Sequence, residues 1–166
     1  TLVTLVGAYS NNISAVDLSG KTFRFKTIGI IRGEELGTKI RLGIATGANY
    51  ALIINEEIKA ELICSDKHNK DIIKPILRGR DIFRYYYLEP NLYILLTKNG
   101  IDVKSEYPYI YDYLNTFSQQ FKTRGAQGNH WSNLRACSFF SDFKREKIIW
   151  IELTDKGRFA LCDDEI

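Results

Sequence analysis

The strongest periodic pattern in this chain lies in the segment YPYIYDYLNTFSQQF, residues 107–121. Its apolar side chains follow the i, i+3, i+4, i+7 and i+11 spacing of a single helix face: Ile110, Tyr113, Leu114, Phe117 and Phe121. Pro108 suits the first turn of a helix, where a backbone N–H would have no partner. The pattern therefore predicts one amphipathic helix, and its apolar face requires a second layer of structure to cover it.

The remaining apolar runs are short, which favours strands over further long helices. TFRFKTIGII, residues 22–31, predicts a strand, and KIRLGIATGANYALII, residues 39–54, predicts two short strands around a tight turn at 46–49. IFRYYYL and NLYILLT are separated by a proline-containing turn and predict a hairpin, while KIIWIEL and RFALC predict the last strands. Strands and helices mix without βαβ alternation, so the expected fold is α/β (α+β): a mixed β-sheet with a few helices in a single domain, residues 1–166.

Two local signals set the boundaries of elements in the middle of the chain. Asn55 is predicted to cap a helix, because Glu56 and Glu57 then occupy the first turn, where the helix dipole favours acidic groups. Lys74-Pro75 is predicted to interrupt the segment that follows this helix, because proline disfavours helical geometry in the residue before it.

Composition points to an ordinary globular protein rather than a disordered, low-complexity or transmembrane one. Hydrophobic residues make up 45% and charged residues 26% of the 166 residues, and no apolar run reaches the length of a membrane span. The three cysteines are far apart and outside any metal-binding spacing, which predicts reduced thiols and a cytoplasmic location. Methionine is absent, so we expect the chain to be a piece of a longer protein.

No catalytic motif is recognisable, and no cofactor or metal is expected in this piece. The sequence lacks a nucleophile elbow, a paired-histidine metal motif and a phosphate-binding loop with lysine. Glu57-Ile58-Lys59 has the E-x-K spacing of metal-dependent nucleases, but on an amphipathic helix such a triplet is usually a solvated face. A metal-dependent nuclease domain therefore stays as an alternative function.

The segment PILRGRDIFRYYY, residues 75–87, concentrates three arginines and three tyrosines around a single acid. Arginine presents a planar fork of donors that fits phosphate or the edge of guanine, and tyrosine offers a flat face with a hydroxyl. Arg78, Arg80, Arg84 and Tyr86 are therefore candidate DNA-binding residues. If the segment is a strand, Arg84 and Tyr86 share one face, and Phe83, Tyr85 and Tyr87 share the other. The competing interpretation places Phe83, Tyr85 and Tyr87 in the core and pairs Asp81 with one arginine.

A second polar group occupies KTRGAQGNHW, residues 122–131, directly after the predicted helix. Amide side chains can read adenine through paired hydrogen bonds, and glycine-containing loops commonly carry binding residues. The candidates are Arg124, Gln127, Asn129 and His130, with Arg135 beyond them. A solvated connecting turn is the competing interpretation.

Four segments occur in an order that resembles one family: GIATGANYALII, IIKPILRGRDIFRYYY, YPYIYDYLNTF and HWSNLRACSFFSDFKREKIIWIEL. Together they resemble the TaqI-like C-terminal specificity domains, which are the target-recognition domains of type II and type IIG restriction-modification enzymes. The resemblance covers residues 43–153. It implies a domain that grips duplex DNA and reads bases in the major groove beside an adenine-specific DNA methyltransferase domain. The parent enzyme would use S-adenosylmethionine, and Mg²⁺ if it also cleaves DNA.

The resemblance also matches individual positions. Thr46, Gly47 and Asn49 match a Gly-x-x-Thr-Gly-x-Asn turn of the family, which adds Thr46 and Asn49 to the DNA-binding candidates. The RGRD segment and later positions match as well, among them Trp131, Leu134, Arg135, Lys147 and Trp150. A family pattern does not separate scaffold from DNA contact.

The favoured hypothesis is sequence-specific binding of double-stranded DNA, with no chemistry in this piece and with the methyltransferase domain of the parent chain as a further partner. DNA would be positioned for adenine-N6 methylation by domains outside this chain. The second alternative, beside the nuclease, is a domain whose aromatic surface contacts another protein. No membrane association is expected.

Overall fold

In the computed structural model, the described residues are 13–16, 22–25, 41, 43–151 and 157–163. The chain divides into two compact units, Thr1–Leu42 and Gly43–Ile166. In the first unit, β1 (Ile13–Val16) pairs antiparallel with β2 (Thr22–Phe25), and Ile13 lies opposite Phe25. The strand predicted over 22–31 is therefore present in its first four residues, and 26–31 lie outside the described residues. A single domain over 1–166 stays a prediction.

The second unit contains five helices and five strands within its described residues. The helices are α1 (Asn49–Leu52), α2 (Glu56–Ser65), α3 (Val103–Glu106), α4 (Pro108–Asn115) and α5 (Gln119–Lys122). The strands are β3 (Ile53–Ile54), β4 (Ile73–Ile76), β5 (Leu92–Leu95), β6 (Lys147–Trp150) and β7 (Phe159–Cys162). Short 3₁₀ turns occupy Lys67–Asp71, Gly79–Asp81 and Phe140–Lys144. The predicted α+β class is confirmed.

A three-stranded antiparallel sheet with the order β3-β5-β4 forms the centre of this unit. Pro75 lies within β4, opposite Tyr93 of β5, so the predicted interruption at Lys74-Pro75 is wrong. β4 is an edge strand, and an edge tolerates a residue that cannot donate a backbone hydrogen bond. The hairpin predicted between IFRYYYL and NLYILLT is also wrong, because β5 pairs instead with β3 and β4.

The helix predicted over 107–121 is present as two helices that share its apolar face. Ile110, Leu114 and Phe121 are all fully buried, which confirms the predicted face. The helix is interrupted after Asn115, where the Thr116 hydroxyl donates a hydrogen bond to the Tyr113 carbonyl at 2.7 Å. A hydroxyl that bonds to the backbone competes with regular helical pairing, which agrees with a break at this point.

The cap of α2 is confirmed, while the turn before it differs from the prediction. The Asn55 side chain accepts a hydrogen bond from the Ile58 N–H at 3.0 Å. Before it, residue 41 and residues 43–48 form no strand, and residues 49–52 form α1, so only the second predicted strand is present, as β3. No helix among the described residues is long and apolar enough to cross a membrane.

Candidate nucleic-acid interface

Residues 78–88 form a surface loop, here called the arginine–tyrosine loop, that begins with a closed ion pair. Arg78 Nε donates to Asp81 Oδ2 at 3.0 Å, and Arg78 Nη2 donates to Asp81 Oδ1 at 3.3 Å. The Arg78 backbone N–H also donates to Asp81 Oδ2, at 3.1 Å. These hydrogen bonds from Arg78 hold the pKa of Asp81 below its ordinary value. The predicted pairing of Asp81 with an arginine is confirmed, and Arg78 serves to close the turn.

The strand predicted after this turn is replaced by a tight reversal of the chain. The Phe83 N–H donates to the Tyr86 carbonyl at 2.8 Å, and Ile82 forms an isolated bridge with Tyr87. Tyr85, at the tip, has a φ of 74°, which is sparsely populated for a bulky residue. The predicted alternation of faces is therefore wrong: Phe83 and Tyr86 stack with ring centroids 4.9 Å apart.

The loop exposes groups that a core would not accept. Tyr85 is 70% exposed and Tyr86 55% exposed, so the interpretation that places Tyr85 in the core is wrong. Arg80 and Arg84 are exposed as well, and the Arg84 guanidinium lies 5.8 Å from the centre of the Tyr85 ring. Tyr87 is half-buried. Two cations and two phenol rings thus face solvent around a turn whose one acid is already paired with Arg78.

The hairpin of β6 and β7 supports the strained tip of the loop. The Tyr85 N–H donates to the Phe159 carbonyl at 2.8 Å, and the two rings meet edge-on with centroids 5.4 Å apart. The Arg158 guanidinium lies 6.0 Å from the centre of the Phe83 ring and adds a third cation. Backbone strain persists only where the surroundings impose it, and these contacts fix the conformation at Tyr85.

The second predicted group is organised around Arg124, which is only 7% exposed. Its guanidinium donates to four backbone carbonyls: Thr46 at 2.9 Å, Phe121 at 3.1 Å, Trp131 at 2.6 Å and Asn133 at 2.8 Å. Burial lowers the pKa of Arg124. Sequence reasoning assigned Arg124 to DNA, but the structure uses its donors inside the protein, where they join residue 46 to the loop at 121–134.

The Thr-Gly-x-Asn turn, residues 46–49, packs against the loop at 121–134. The buried Thr46 hydroxyl donates to the Asn49 side chain and accepts from the Ala48 N–H at 3.2 Å. Gly47 has a φ of 65°, and a Cβ there would lie 2.9 Å from the Cβ of Ala126. Thr46, assigned to DNA from sequence, is thus an internal packing residue, while Asn49 lies at the exposed start of α1.

The tip of the loop at 121–134 presents Asn129 and His130 to solvent. Both residues are exposed, and the Asn129 N–H donates to the Asn99 side chain at 2.7 Å. Gly128 allows this close approach, because a Cβ there would lie 2.4 Å from the same Asn99 oxygen. Gln127 is half-buried, and its backbone forms an isolated antiparallel β-bridge with Leu134. Arg135 is exposed beyond the loop.

Several neighbours of these loops escaped sequence reasoning. Lys122 lies 5.1 Å from the centre of the Trp131 ring, and Lys104 lies 5.9 Å from that of Tyr111. Lys122 lies inside the segment singled out from sequence, but nothing marked it. Lys104 and Arg158 are far from both segments in sequence, so only the folded chain brings them there.

In the helical Glu57-Ile58-Lys59 triplet of α2, Ile58 packs against the core and Lys59 is half-buried. Glu57 is exposed in the first turn, and the Lys59 ammonium donates to the Glu56 carboxylate at 2.8 Å. Lys59 also lies 3.9 Å from the centre of the Tyr93 ring. Within the described ranges, no three His, Cys, Asp or Glu side chains are grouped so that they could hold a metal ion. No observation favours the nuclease alternative.

A scan against protein-family models returned no match, and a search of curated proteins returned none. The resemblance to TaqI-like specificity domains therefore stays a prediction.

Proposed function

We propose that this chain binds double-stranded DNA in a sequence-specific manner as the target-recognition domain of a type II or type IIG restriction-modification enzyme. The observation that carries the proposal is the arginine–tyrosine loop. Arg80 and Arg84 are exposed there beside two exposed tyrosine rings, on a turn closed by the Arg78–Asp81 ion pair. Such a surface matches the anionic backbone of a nucleic acid.

The fixed shape of the loop favours binding, because little conformational freedom remains to be lost. The ion pair closes one end of the turn, and the hydrogen bond from Tyr85 to Phe159 holds its tip. Groups held in place before binding contribute more net affinity than mobile ones do. Arg80 and Arg84 would grip phosphates and set the register of the protein on the duplex.

The second loop is suited to reading bases. Asn129 and His130 are exposed at its tip, while the interior of the loop is fixed by the four hydrogen bonds from Arg124. Base readout requires donors and acceptors at defined positions, which a tethered loop supplies. Arg124 and Thr46 act here as positioning residues, without touching DNA.

Chemistry would reside in the rest of the parent protein. In this proposal a methyltransferase domain, with S-adenosylmethionine, modifies an adenine that the recognition domain has positioned. Mg²⁺ would be needed only if the parent also cleaves DNA. A cytoplasmic location belongs to the same proposal and agrees with the free thiols of Cys64 and Cys137.

The salt dependence of binding tests this proposal. We would measure the affinity for a mixed-sequence duplex at several salt concentrations for the wild type, Arg80→Ala and Arg84→Ala. Each variant should bind more weakly, and each should flatten the slope of log K against log salt by about 0.9 per lost phosphate contact. Lys67→Ala and Lys70→Ala, which remove exposed charges from another turn, are the matched controls. Equal slopes in all five proteins would contradict the proposal.

One observation favours a protein-binding domain as the second candidate. Tyr85, Leu88, Phe159 and Leu161 are all exposed, and Phe159 and Leu161 lie on the exposed side of β7. Exposed apolar groups of this kind also mark protein interfaces. This candidate predicts that Leu161→Ser abolishes partner binding and leaves DNA affinity unchanged, and that DNA binding does not depend on Arg80 or Arg84.

A further inference from the structure

The imidazole of His130 is held by Ser132 in a way that fixes which nitrogen carries the proton. The Ser132 backbone N–H donates to His130 Nδ1 at 3.3 Å, and the Ser132 hydroxyl lies 2.8 Å from the same nitrogen. A backbone N–H can only donate, so Nδ1 must accept. In the neutral imidazole the proton is then on Nε2, which leaves Nε2–H as the single polar donor of the ring.

The surrounding loop holds this ring in one orientation. Ser132 is only 2% exposed, and the Asn133 N–H donates to the His130 carbonyl at 2.9 Å. The ring lies against Tyr111, with centroids 6.3 Å apart and planes 25° apart, and against Trp131, with centroids 5.1 Å apart. The residue is nevertheless exposed, so a ligand can reach it.

The charges around the ring favour a base edge over a phosphate as its partner. Asp102, the cap of α3, is within electrostatic range of His130 and would repel a phosphate at this position. Two cations, Lys104 and Lys122, lie over the neighbouring rings of Tyr111 and Trp131 and are better suited to the backbone. The Nε2–H donor is complementary to an acceptor that carries no net charge.

We propose that His130 is a specificity residue that donates Nε2–H to the N7 acceptor of a purine in the major groove. This inference rests on the proposed function and adds the class of atom that is read. An exocyclic amino group is a donor, so it would leave Nε2–H without a partner and be rejected at this position. Ser132 acts as a positioning residue, because it holds the tautomer that makes the ring a donor.

The first test is independent of DNA. Nitrogen NMR of the imidazoles in the free protein near pH 8 should show the proton of His130 on Nε2. Ser132→Ala, which keeps the backbone N–H that donates to Nδ1, should leave the proton of His130 on Nε2, and His68, which lies beside Asp71 rather than a serine, serves as the reference imidazole. A wild-type His130 protonated on Nδ1 would overturn the proposal.

The second test combines a protein change with a DNA change. In the best duplex selected by the wild type, each purine is replaced in turn by its 7-deaza analogue, which lacks the N7 acceptor. One replacement should weaken wild-type binding roughly tenfold, the scale of one hydrogen bond. His130→Phe, which keeps a ring against Tyr111, should weaken binding to natural DNA by a similar factor and show no further loss at that purine. His68→Phe is the matched control.

The outcomes separate this inference from the function on which it rests. Equal weakening of all sequences by His130→Phe would mean a phosphate contact and would overturn the specificity role. Sequence-preferring binding that is unaffected by every 7-deaza replacement would also overturn it, while leaving the proposed function intact. A wild type that binds no DNA would overturn both, even if NMR showed the expected tautomer.

Discussion

Replacement of Arg124 by alanine should destabilise the protein more than any change of an exposed arginine. The guanidinium donates to carbonyls of residues 46, 121, 131 and 133, and three of these four hydrogen bonds are buried. Arg124→Ala would remove all four donors and leave the carbonyls without them. The turn at residue 46 and the loop at 121–134 would lose the side chain that joins them.

The magnitude follows from the number of hydrogen bonds. A net contribution of about 1 kcal/mol for each bond gives a gross loss of about 4 kcal/mol. Burial of the charged guanidinium itself destabilises the folded state, as the lowered pKa of Arg124 indicates. Removal of the charge thus offsets part of the loss of hydrogen bonds. We therefore expect the free energy of unfolding to fall by about 3 kcal/mol. Arg124→Lys should recover less than half, because one ammonium cannot reach four separate carbonyls.

Urea unfolding followed by circular dichroism measures this loss. Arg135→Ala is the matched control, because it removes an exposed arginine from the same region and should change the free energy of unfolding by less than about 0.5 kcal/mol. If Arg124→Ala lowers the free energy of unfolding by less than about 1 kcal/mol, Arg124 does not stabilise the fold by joining the turn at residue 46 to the loop at 121–134. Weakened DNA binding by this variant with no loss of stability would return Arg124 to the DNA-binding surface.

Three further changes test other parts of the fold by the same unfolding measurement. Asn55→Ala should lower the free energy of unfolding by about 1 kcal/mol through loss of the α2 cap, whereas Asn55→Asp, which can still cap the helix, should lower it much less. Equal losses in the two variants would argue against capping. Asp81→Asn should lower the free energy of unfolding by about 1 kcal/mol at pH 6. The pKa of Asp81 is lower in the folded state than in the unfolded chain, where it is about 3.9, so the carboxylate stabilises the fold at pH values above about 4. That difference should fade as the pH falls below about 4, and a difference independent of pH would contradict the ion pair. Gly47→Ala should cost about 2 kcal/mol, since it adds a contact with Ala126 to an unfavourable φ, whereas Gly100→Ala, also at positive φ but in open space, should cost less.

Local signals predicted the elements that depend on neighbouring residues. The cap at Asn55 and the apolar face of the helix predicted over 107–121 are properties of residues a few positions apart, and both are present. The break after Asn115 was missed because the apolar spacing continues through it. Pro75 misled the prediction because whether a strand lies at the edge of a sheet depends on distant partners.

The candidate site was predictable in composition but not in arrangement. The exposure of Arg80 and Arg84 agrees with the low tendency of arginine to be buried. The conformation of Tyr85 depends on a hydrogen bond to Phe159, and the burial of Arg124 depends on the carbonyl of Thr46, 78 residues away. No local pattern carries such information, so a buried structural arginine and an exposed binding arginine are alike in sequence.

The central claim, that this chain grips DNA through the arginine–tyrosine loop and reads its sequence, is tested most directly by selection from a randomised duplex pool followed by sequencing. The wild type should enrich one short motif at moderate salt. The double variant Arg80→Ala/Arg84→Ala should retain much less DNA at the same salt, because its phosphate contacts are lost, and Lys67→Ala/Lys70→Ala, which removes the same charge, should retain as much as the wild type. A wild type that enriches no motif, or a double variant that retains as much DNA as the wild type, would contradict the account.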